Sequence, residues 1–503
     1  MLNEQNLKFI FGLKLNQLRQ QAGISLKELS DRTGISPSYL NEIEKGKKYP
    51  KADKIVLLAQ ALDTPYDELV SLKLEHELNS LTDLLNNDTL QNIPFELFGL
   101  ETADIMEIMS NAPMKFSALI DTFIKIARNY DMRVEHLLFA ALRSYQEMNN
   151  NYFEEIETSV QQFVAKYSTI KYKKVGYYDM KAVLERAYQY RITEQVFEEA
   201  EGLSGVRSVY VPGKQPGIIL NASLTDAQKT FILAKEAGYN FLKLTERDNT
   251  FAMMDSPNFD KLLNNFKSSY FAGALLIKRD MLVDQLKEFF KLPQWDGKAF
   301  LKIMDSFGAT PEMFYHRLTQ ILPKFFEIDQ LYFLRFHHDT KTDEYKLTKE
   351  LHFSRLHQPH GIGLNEHYCR RWITLILLKK LEESKLSGKK EWPLIGVQKS
   401  RFFKTDNEYF CVSIARPLRL TKDTDSCVTL GFVMTEKFKR KVRFWNDPEI
   451  EMLIVNKTCE RCGIPHCNER VAPPVIWEKE QKALKAKERL KQMVEHYSKE
   501  AGG

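Results

Sequence analysis

Residues 25–46 constrain the fold more than any other stretch, because each residue type there has one low-cost structural role. Ser25 followed three positions later by Glu28 forms a capping box, which predicts a helix over 26–33. Gly34 then supplies the left-handed residue that closes it. Ser36 caps the next helix, and Pro37 occupies its first position, where a missing N–H is not needed. Leu40 and Ile43 fall on its inward side. Two helices joined by a short glycine-containing turn make the hairpin whose second helix enters a DNA major groove. Leu7, Phe11, Leu15 and Leu18 recur at helical spacing before Gly23, and Lys54–Leu62 reads as a further amphipathic helix. Ser30 is the small residue expected where two helices approach.

Charge supports this reading. The 503-residue chain has 72 Lys/Arg and 67 Asp/Glu, a net charge of +5 that names no partner. Residues 1–60, however, carry ten basic and six acidic side chains, with Lys45, Lys47, Lys48 and Lys51 crowded together. A basic cluster on a short helical module is an electrostatic footprint for a polyanion. The stretch 13–69 resembles the Cro/cI-type (XRE) helix-turn-helix. That resemblance directs Pro37, Ser38, Asn41 and Glu42 to base edges and Lys45, Lys47, Lys48 and Lys51 to phosphates. Leu26 departs from the pattern, since a Gln often stands there, and a phosphate or base contact is lost with it.

The remaining chain is long enough for further domains, and its 43% apolar and 28% charged residues are ordinary for a globular protein. No apolar run approaches the ~18 residues of a membrane span, and the N-terminus lacks an uninterrupted apolar signal region. A cytoplasmic location is expected, with the six cysteines reduced. Residues 71–165 read as a helical connector and candidate dimerisation region, with turns at Pro94, Gly99 and Pro113 and a helix boundary at Asn149–Asn151. Residues 166–295 mix helices with a hairpin of Val206–Val211 and Gly217–Asn221. Residues 296–475 are richer in strands: Leu331–His337, Tyr345–Phe353, Tyr409–Ala415 and Cys427–Met434. Residues 476–503 contain a charged tail helix over 477–497.

Two motifs carry further chemistry. Residues 231–242, FILAKEAGYNFL, follow the zinc helix of metallopeptidases except at the ligands. HExxH needs imidazoles four apart on one helix face. Here those positions are Lys235 and Tyr239, and only Glu236 remains of the catalytic set. Protonated lysine offers no lone pair, so no zinc is expected at 235–239. With Tyr270–Leu276, the region 166–295 resembles an IrrE-like domain that has lost its metal, and Lys267 stands where such domains often supply a further ligand. Cys459, Cys462 and Cys467 have the spacing Cys-x2-Cys-x4-Cys, which suits zinc or an iron–sulfur cluster. His466, Cys427, Cys411 and Cys369 are candidates for a fourth ligand.

LRSYQEMNNNYFEEIE at 142–157, NEHYCRRW at 365–372 and VNKTCERCGIPHCNERVAPP at 455–474 resemble the short-chain fatty acyl regulator family. This resemblance implies a multidomain chain: an all-α N-terminal helix-turn-helix and helical region, an α+β IrrE-like domain, and an α+β C-terminal regulatory domain. It implies a homodimeric regulator bound to operator DNA, of propionate, acetate, glyoxylate or methylcitrate metabolism, responding to an acyl-CoA-type effector. His360, His367, Arg370 and Arg371 lie near Tyr368 and Trp372, a composition suited to phosphates and an adenine. A metallopeptidase that cleaves a repressor, and a non-catalytic antitoxin or scaffold, are the competing readings.

Overall fold

The computed structural model describes residues 4–71, 134–167, 174–197, 203, 205–247, 259–353, 366–389, 391–421 and 423–501. Pro94, Gly99, Pro113 and most of the 71–165 connector lie outside the described residues, as does His360. The chain divides into two compact units, residues 1–145 with 254–263 and residues 146–253 with 264–503.

The first unit contains α1 (Glu4–Gln21), α2 (Leu26–Thr33), α3 (Pro37–Glu44), α4 (Ala52–Ala61) and α5 (Tyr66–Val70). Both halves of the Ser25–Glu28 capping box form, and Gly34 closes α2 at φ +69°. Ser36 caps α3 by accepting from the Tyr39 N–H. The core beneath these helices is Phe11, Leu15, Ile24, Leu29, Ile35, Leu40, Ile43, Ile55, Leu58 and Leu69. Helix α4 begins two residues before the expected Lys54. Leu26 is half-buried against this core, so it serves packing rather than DNA.

Next come α6 (Val134–Met148), α7 (Glu154–Lys166), α8 (Tyr177–Tyr188), β1 (Arg191–Gln195), β2 (Ser208–Val211), β3 (Gly217–Asn221), α9 (Asp226–Phe241), α10 (Phe259–Leu276), α11 (Arg279–Phe290), α12 (Gly297–Ser306) and α13 (Pro311–Phe326). The expected β2–β3 hairpin forms, and β1 adds to β3 in parallel to give the order β1-β3-β2. The Asn149–Asn151 boundary separates α6 from α7, with Asn150 and Asn151 at positive φ. Asparagine tolerates that conformation better than most residues.

The last part of the second unit is a six-stranded sheet in the order β5-β4-β8-β7-β6-β9. Its strands are β4 (Leu331–Asp339), β5 (Glu344–His352), β6 (Leu394–Phe402), β7 (Glu408–Pro417), β8 (Thr424–Val433) and β9 (Met452–Val455). β9 pairs in parallel with β6, and every other pair is antiparallel. Helix α14 (Ile373–Leu386) buries Leu375, Leu378 and Leu381 against one face. On the other face the Tyr315 hydroxyl of α13 donates to the Val412 carbonyl at 3.1 Å. The short α15 (Glu436–Lys441) and the long tail helix α16 (Val475–Ala501) complete the chain.

A buried ion pair joins segments that the sequence assigned to different compartments. Arg317 of α13 donates to both oxygens of Glu157 in α7, at 2.6 and 3.0 Å, and to the Ile277 carbonyl. The Tyr270 hydroxyl donates to the same carboxylate at 3.0 Å. Every donor of this network has a partner in a dry core, which is the condition for a buried charge to be tolerated.

Candidate functional site

Helix α3 is held rigidly from behind. Pro37, Ser38 and Asn41 are exposed along α3, while Leu40 and Ile43 are fully buried. Glu44, at its C-terminal end, is buried and accepts from Asn16 at 2.7 Å and from both Arg19 Nε and Nη2 at 2.6 and 2.9 Å. Arg19 also donates to the Ile24 carbonyl, so α1 fixes the end of α3 and the turn before α2. A tight approach is at Gly12: a Cβ on Gly12 would stand 2.3 Å from the Ile43 carbonyl oxygen. Ser30 is only half-buried. Lys47, Lys48 and Lys51 are exposed and Lys45 half-buried. Glu42 pairs with Lys48 at 2.8 Å, an exposed bridge that must open before either reaches DNA. Tyr39 lies under Lys48 and Lys54, 5.6 and 4.2 Å from its ring centre, holding two cations on the same flank.

In the peptidase-type region, α9 presents Lys235, Glu236 and Tyr239 as the spacing requires. A guanidinium stands against the carboxylate that remains of the catalytic set. Arg247 donates to Glu236 Oε2 at 2.7 Å and to the Tyr190 hydroxyl at 3.2 Å. It is stacked between Tyr210 and Tyr239, 4.5 and 4.8 Å from their ring centres. Asn240 donates to the Tyr190 hydroxyl at 3.0 Å, closing the network. Burial pushes the Glu236 carboxyl up, and Arg247 pulls it back toward the charged form. Lys235 is hydrogen-bonded to Asn265, and Lys267 is half-buried on α10. Arg247 was not legible as a partner, because nothing in its local sequence marks it.

The two C-terminal motifs lie side by side. The Cys369 N–H donates to the Lys457 carbonyl and the Cys459 N–H to the His367 carbonyl, at 3.1 and 2.9 Å. That pairing brings Cys369 to the same small void as Cys459, Cys462 and Cys467. Arg470 clamps the cysteine turn by donating to the carbonyls of Cys459, Cys462 and Ile464. Among the other fourth-ligand candidates, Cys411 is hydrogen-bonded to Tyr332 and Cys427 is fully buried in β8. Both belong to the sheet core. His466 faces the groove next door. Burial pushes the Cys369 thiol up to about 11. Among the described residues no three side chains of ligand type already stand at coordination spacing.

Beside this turn lies an open groove of about 890 Å³. Its walls include Arg370, Arg371, Lys379, Lys380, Tyr345 and Cys467. Arg370 rests on the Tyr345 ring at 3.9 Å, with the His338 ring on Tyr345 at 4.2 Å. One Arg370 nitrogen, Nη1, is buried with no hydrogen-bond partner among the described residues. His367 is a correction: its N–H and Nδ1 both engage Glu460, with Nδ1 2.7 Å from the carboxylate, and it is absent from the groove walls. It braces the cysteine turn instead.

Comparisons with known proteins agree with this geometry. Residues 15–69 match the helix-turn-helix family. An HTH-type transcriptional regulator of Sinorhizobium fredii, y4dJ, is 32% identical over 66 residues, 13% of this chain and 86% of that protein. The chain belongs to the HTH-type transcriptional regulators. Residues 191–319 of this regulator match the IrrE N-terminal-like domain. SutR of Escherichia coli is 34% identical over 67 residues, 13% of the regulator and 38% of SutR. The propionyl-CoA carboxylase regulator of Cereibacter sphaeroides is 27% identical over 130 residues, 26% of each chain. The alignments thus span about a quarter to two fifths of those two relatives. A solved Mycobacterium tuberculosis transcriptional regulator aligns at 15% identity over 67% of this chain and 94% of its own, with a TM-score of 0.46. Among the described residues no helix is long and apolar enough to cross a membrane.

Proposed function

We propose that this regulator binds operator DNA as a homodimer in the cytoplasm and controls genes of short-chain acyl metabolism, with an acyl-CoA-type effector seated in the Arg370 groove. The observation that carries the effector reading is the buried Arg370 nitrogen without a hydrogen-bond partner, beside a groove whose walls set Arg370, Arg371, Lys379 and Lys380 among Asp343, Glu382, Glu383 and Glu469. A buried guanidinium N–H left unbonded is costly, and a phosphate oxygen supplies the missing acceptor. The relative named for propionyl-CoA carboxylase supports the metabolic assignment. The effector acts on DNA binding only through its differential affinity for two states of the regulator. Operator DNA therefore changes effector affinity by the same factor.

The IrrE-like domain has no peptidase role in this reading, since Glu236 is engaged by Arg247 and the ligand positions are Lys235 and Tyr239. In this reading the cysteine turn would close around a soft metal, since its thiols gather at one place without yet standing at coordination spacing. Four thiols line one void, three of them buried outright, and Arg470 presets the loop. Cys369, Cys459, Cys462 and Cys467 would hold zinc or an iron–sulfur cluster, which would supply a structural clamp on the groove wall they share through Cys467.

Calorimetric titration with acetyl-, propionyl- and longer acyl-CoAs, with and without operator, tests the effector site. Arg370→Gln weakens effector binding roughly tenfold or more and leaves effector-free operator binding unchanged. Failure of every acyl-CoA to bind, or wild-type binding by Arg370→Gln, overturns the groove assignment. Metal analysis and visible absorption of anaerobically purified protein test the cysteine centre. Metal-free protein with the thermal stability of metal-loaded protein overturns it.

A further inference from the structure

The sheet face opposite the Arg370 groove carries a second, denser group of cations. Arg335 of β4 stands in register with Lys349 of β5, and two residues on, His337 faces Ser426 of β8. Ser426 in turn faces Arg416 of β7. Strand alternation places all five on one face, since cross-strand partners share a side and residues two apart do too. Tyr345 pairs with His338, one residue over, so the Arg370 stack belongs to the other face.

Helix α13 covers this face and contributes the acid that answers the cations. Glu312 accepts from Arg335 at 2.8 Å, with Lys349 at 3.5 Å and His316 at 3.8 Å. Arg207, just before β2, acts electrostatically on Lys349 and Arg416, and Arg419, just after β7, on Arg416; both are exposed. Arg335, Lys349 and Arg416 thus share one sheet face with Glu312 against it, flanked by two further guanidiniums. Arg207 and Arg416 make no side-chain hydrogen bond or ion pair among the described residues. Lys349, 41% exposed, sits between Glu312 and Arg335, while burial, with Arg335 adding to it, holds His337 down at about 4. Arg416 is depressed for the same reasons, though Glu312 partly offsets the effect. The folded chain sustains this repulsion, and an anion seated among the side chains would relieve it.

We infer that this cluster binds a phosphoryl anion, either free phosphate or the phosphate of a small ligand, at a site separate from the Arg370 groove. Guanidiniums on β4 and β7, an ammonium on β5 and the Ser426 hydroxyl offer a tetrahedral dianion several donors along one sheet face. A singly charged carboxylate leaves most of that charge unanswered. Ser426 is buried between His337 and Arg416, where its hydroxyl can donate to the anion.

The test is calorimetric titration of the full chain with inorganic phosphate, pyrophosphate and AMP, against sodium chloride at matched ionic strength. Saturable binding of at least one of the three is expected, weakened tenfold or more by Arg416→Gln. That variant removes a side chain with no internal partner, and its melting temperature confirms that it folds. Arg370→Gln leaves this binding unchanged, which separates the site from the effector groove. Phosphate bound as tightly as AMP identifies the bare anion as ligand, and tighter AMP identifies a phosphorylated small molecule. No saturable binding beyond the chloride control overturns the inference. So does wild-type affinity in Arg416→Gln, or a loss of operator binding in that variant with phosphate binding intact.

Discussion

Removing the guanidinium that stands in the peptidase-type site provides a quantitative test of how that site is built. Arg247→Met keeps the length and apolar stem but deletes the bonds to Glu236 and Tyr190. The two side chains are only 15% and 12% exposed, so Glu236 is left as a nearly buried carboxylate without its cation. Breaking one side of a buried pair costs about 3–5 kcal/mol. Protonation sets a ceiling. Neutralising a carboxyl of ordinary pKa ~4.3 at pH 7 costs about 3.7 kcal/mol, at 1.36 kcal/mol per unit. The expected loss at pH 7 is therefore about 2–4 kcal/mol, including the stacking on Tyr210 and Tyr239 at roughly 0.5–1 kcal/mol each. The pH dependence has a definite sign. In the variant the Glu236 carboxyl titrates above its unfolded value, so the penalty is small near pH 5 and grows by about 1.4 kcal/mol per unit toward pH 7. Adding Glu236→Gln to Arg247→Met removes that pH dependence and recovers the electrostatic part of the loss, leaving the stacking part. Urea unfolding followed by circular dichroism, with hydrogen exchange of residues 231–242 to localise the effect, measures all three proteins. A loss under about 0.5 kcal/mol that is flat with pH would refute the buried-pair reasoning.

The other expectations concern the reading head and the sheet domain. Ser38→Ala and Asn41→Ala lower discrimination between operator and random DNA, whereas Lys47→Ala weakens binding to all sequences and reduces the salt slope by about one phosphate contact; filter binding over a salt series checks both. Gly12→Ala drives a Cβ into the Ile43 carbonyl and destabilises the head by about 1–3 kcal/mol, read as a lower melting temperature together with weaker operator binding. Burial holds both His316 and His337 down at about 4, so the second unit loses stability as pH falls from about 6.5 toward 4. His316→Gln flattens that acid limb, and a pH series of thermal melts shows whether it does.

Several elements escaped a reading of the residues because their inward faces do not look like core. Strand β6 turns Gln398 and Ser400 inward, where Gln398 accepts from the Ile373 N–H and from the Ser400 hydroxyl. The usual alternation of apolar and polar residues is lost there, although the strand is paired on both edges. Strand β1 buries only Ile192, and β9 buries only Val455, so neither carries a periodic signal of its own. Both are strands because a neighbour supplies their hydrogen bonds. The strands that were legible are the β2–β3 hairpin, β4, β5, β7 and β8; β4 and β7 run past their expected ends where a neighbouring strand continues to pair, whereas β5 and β8 begin earlier and end one residue sooner than expected.

What the sequence alone determined were features written within a few residues of one another. The Ser25 and Ser36 caps, the left-handed Gly34 and the inward Leu40 and Ile43 specify the reading head, because capping and turn conformation depend on neighbours three or four positions away. The replacement of the zinc ligands by Lys235 and Tyr239, and the three-cysteine spacing at 459–467, were equally plain. Only the tertiary structure decided which distant side chain answers each of these. It brought Cys369 to the cysteine turn by pairing two loops, set Arg247 against Glu236, and fitted Gly12 against the end of α3. It also set Arg335 and Lys349 against Glu312 and put Arg416 on the same sheet face. The physical reason is that charge and thiol chemistry act through space. A side chain's partner is set by strand register and helix packing, and neither is encoded in the residues that flank it.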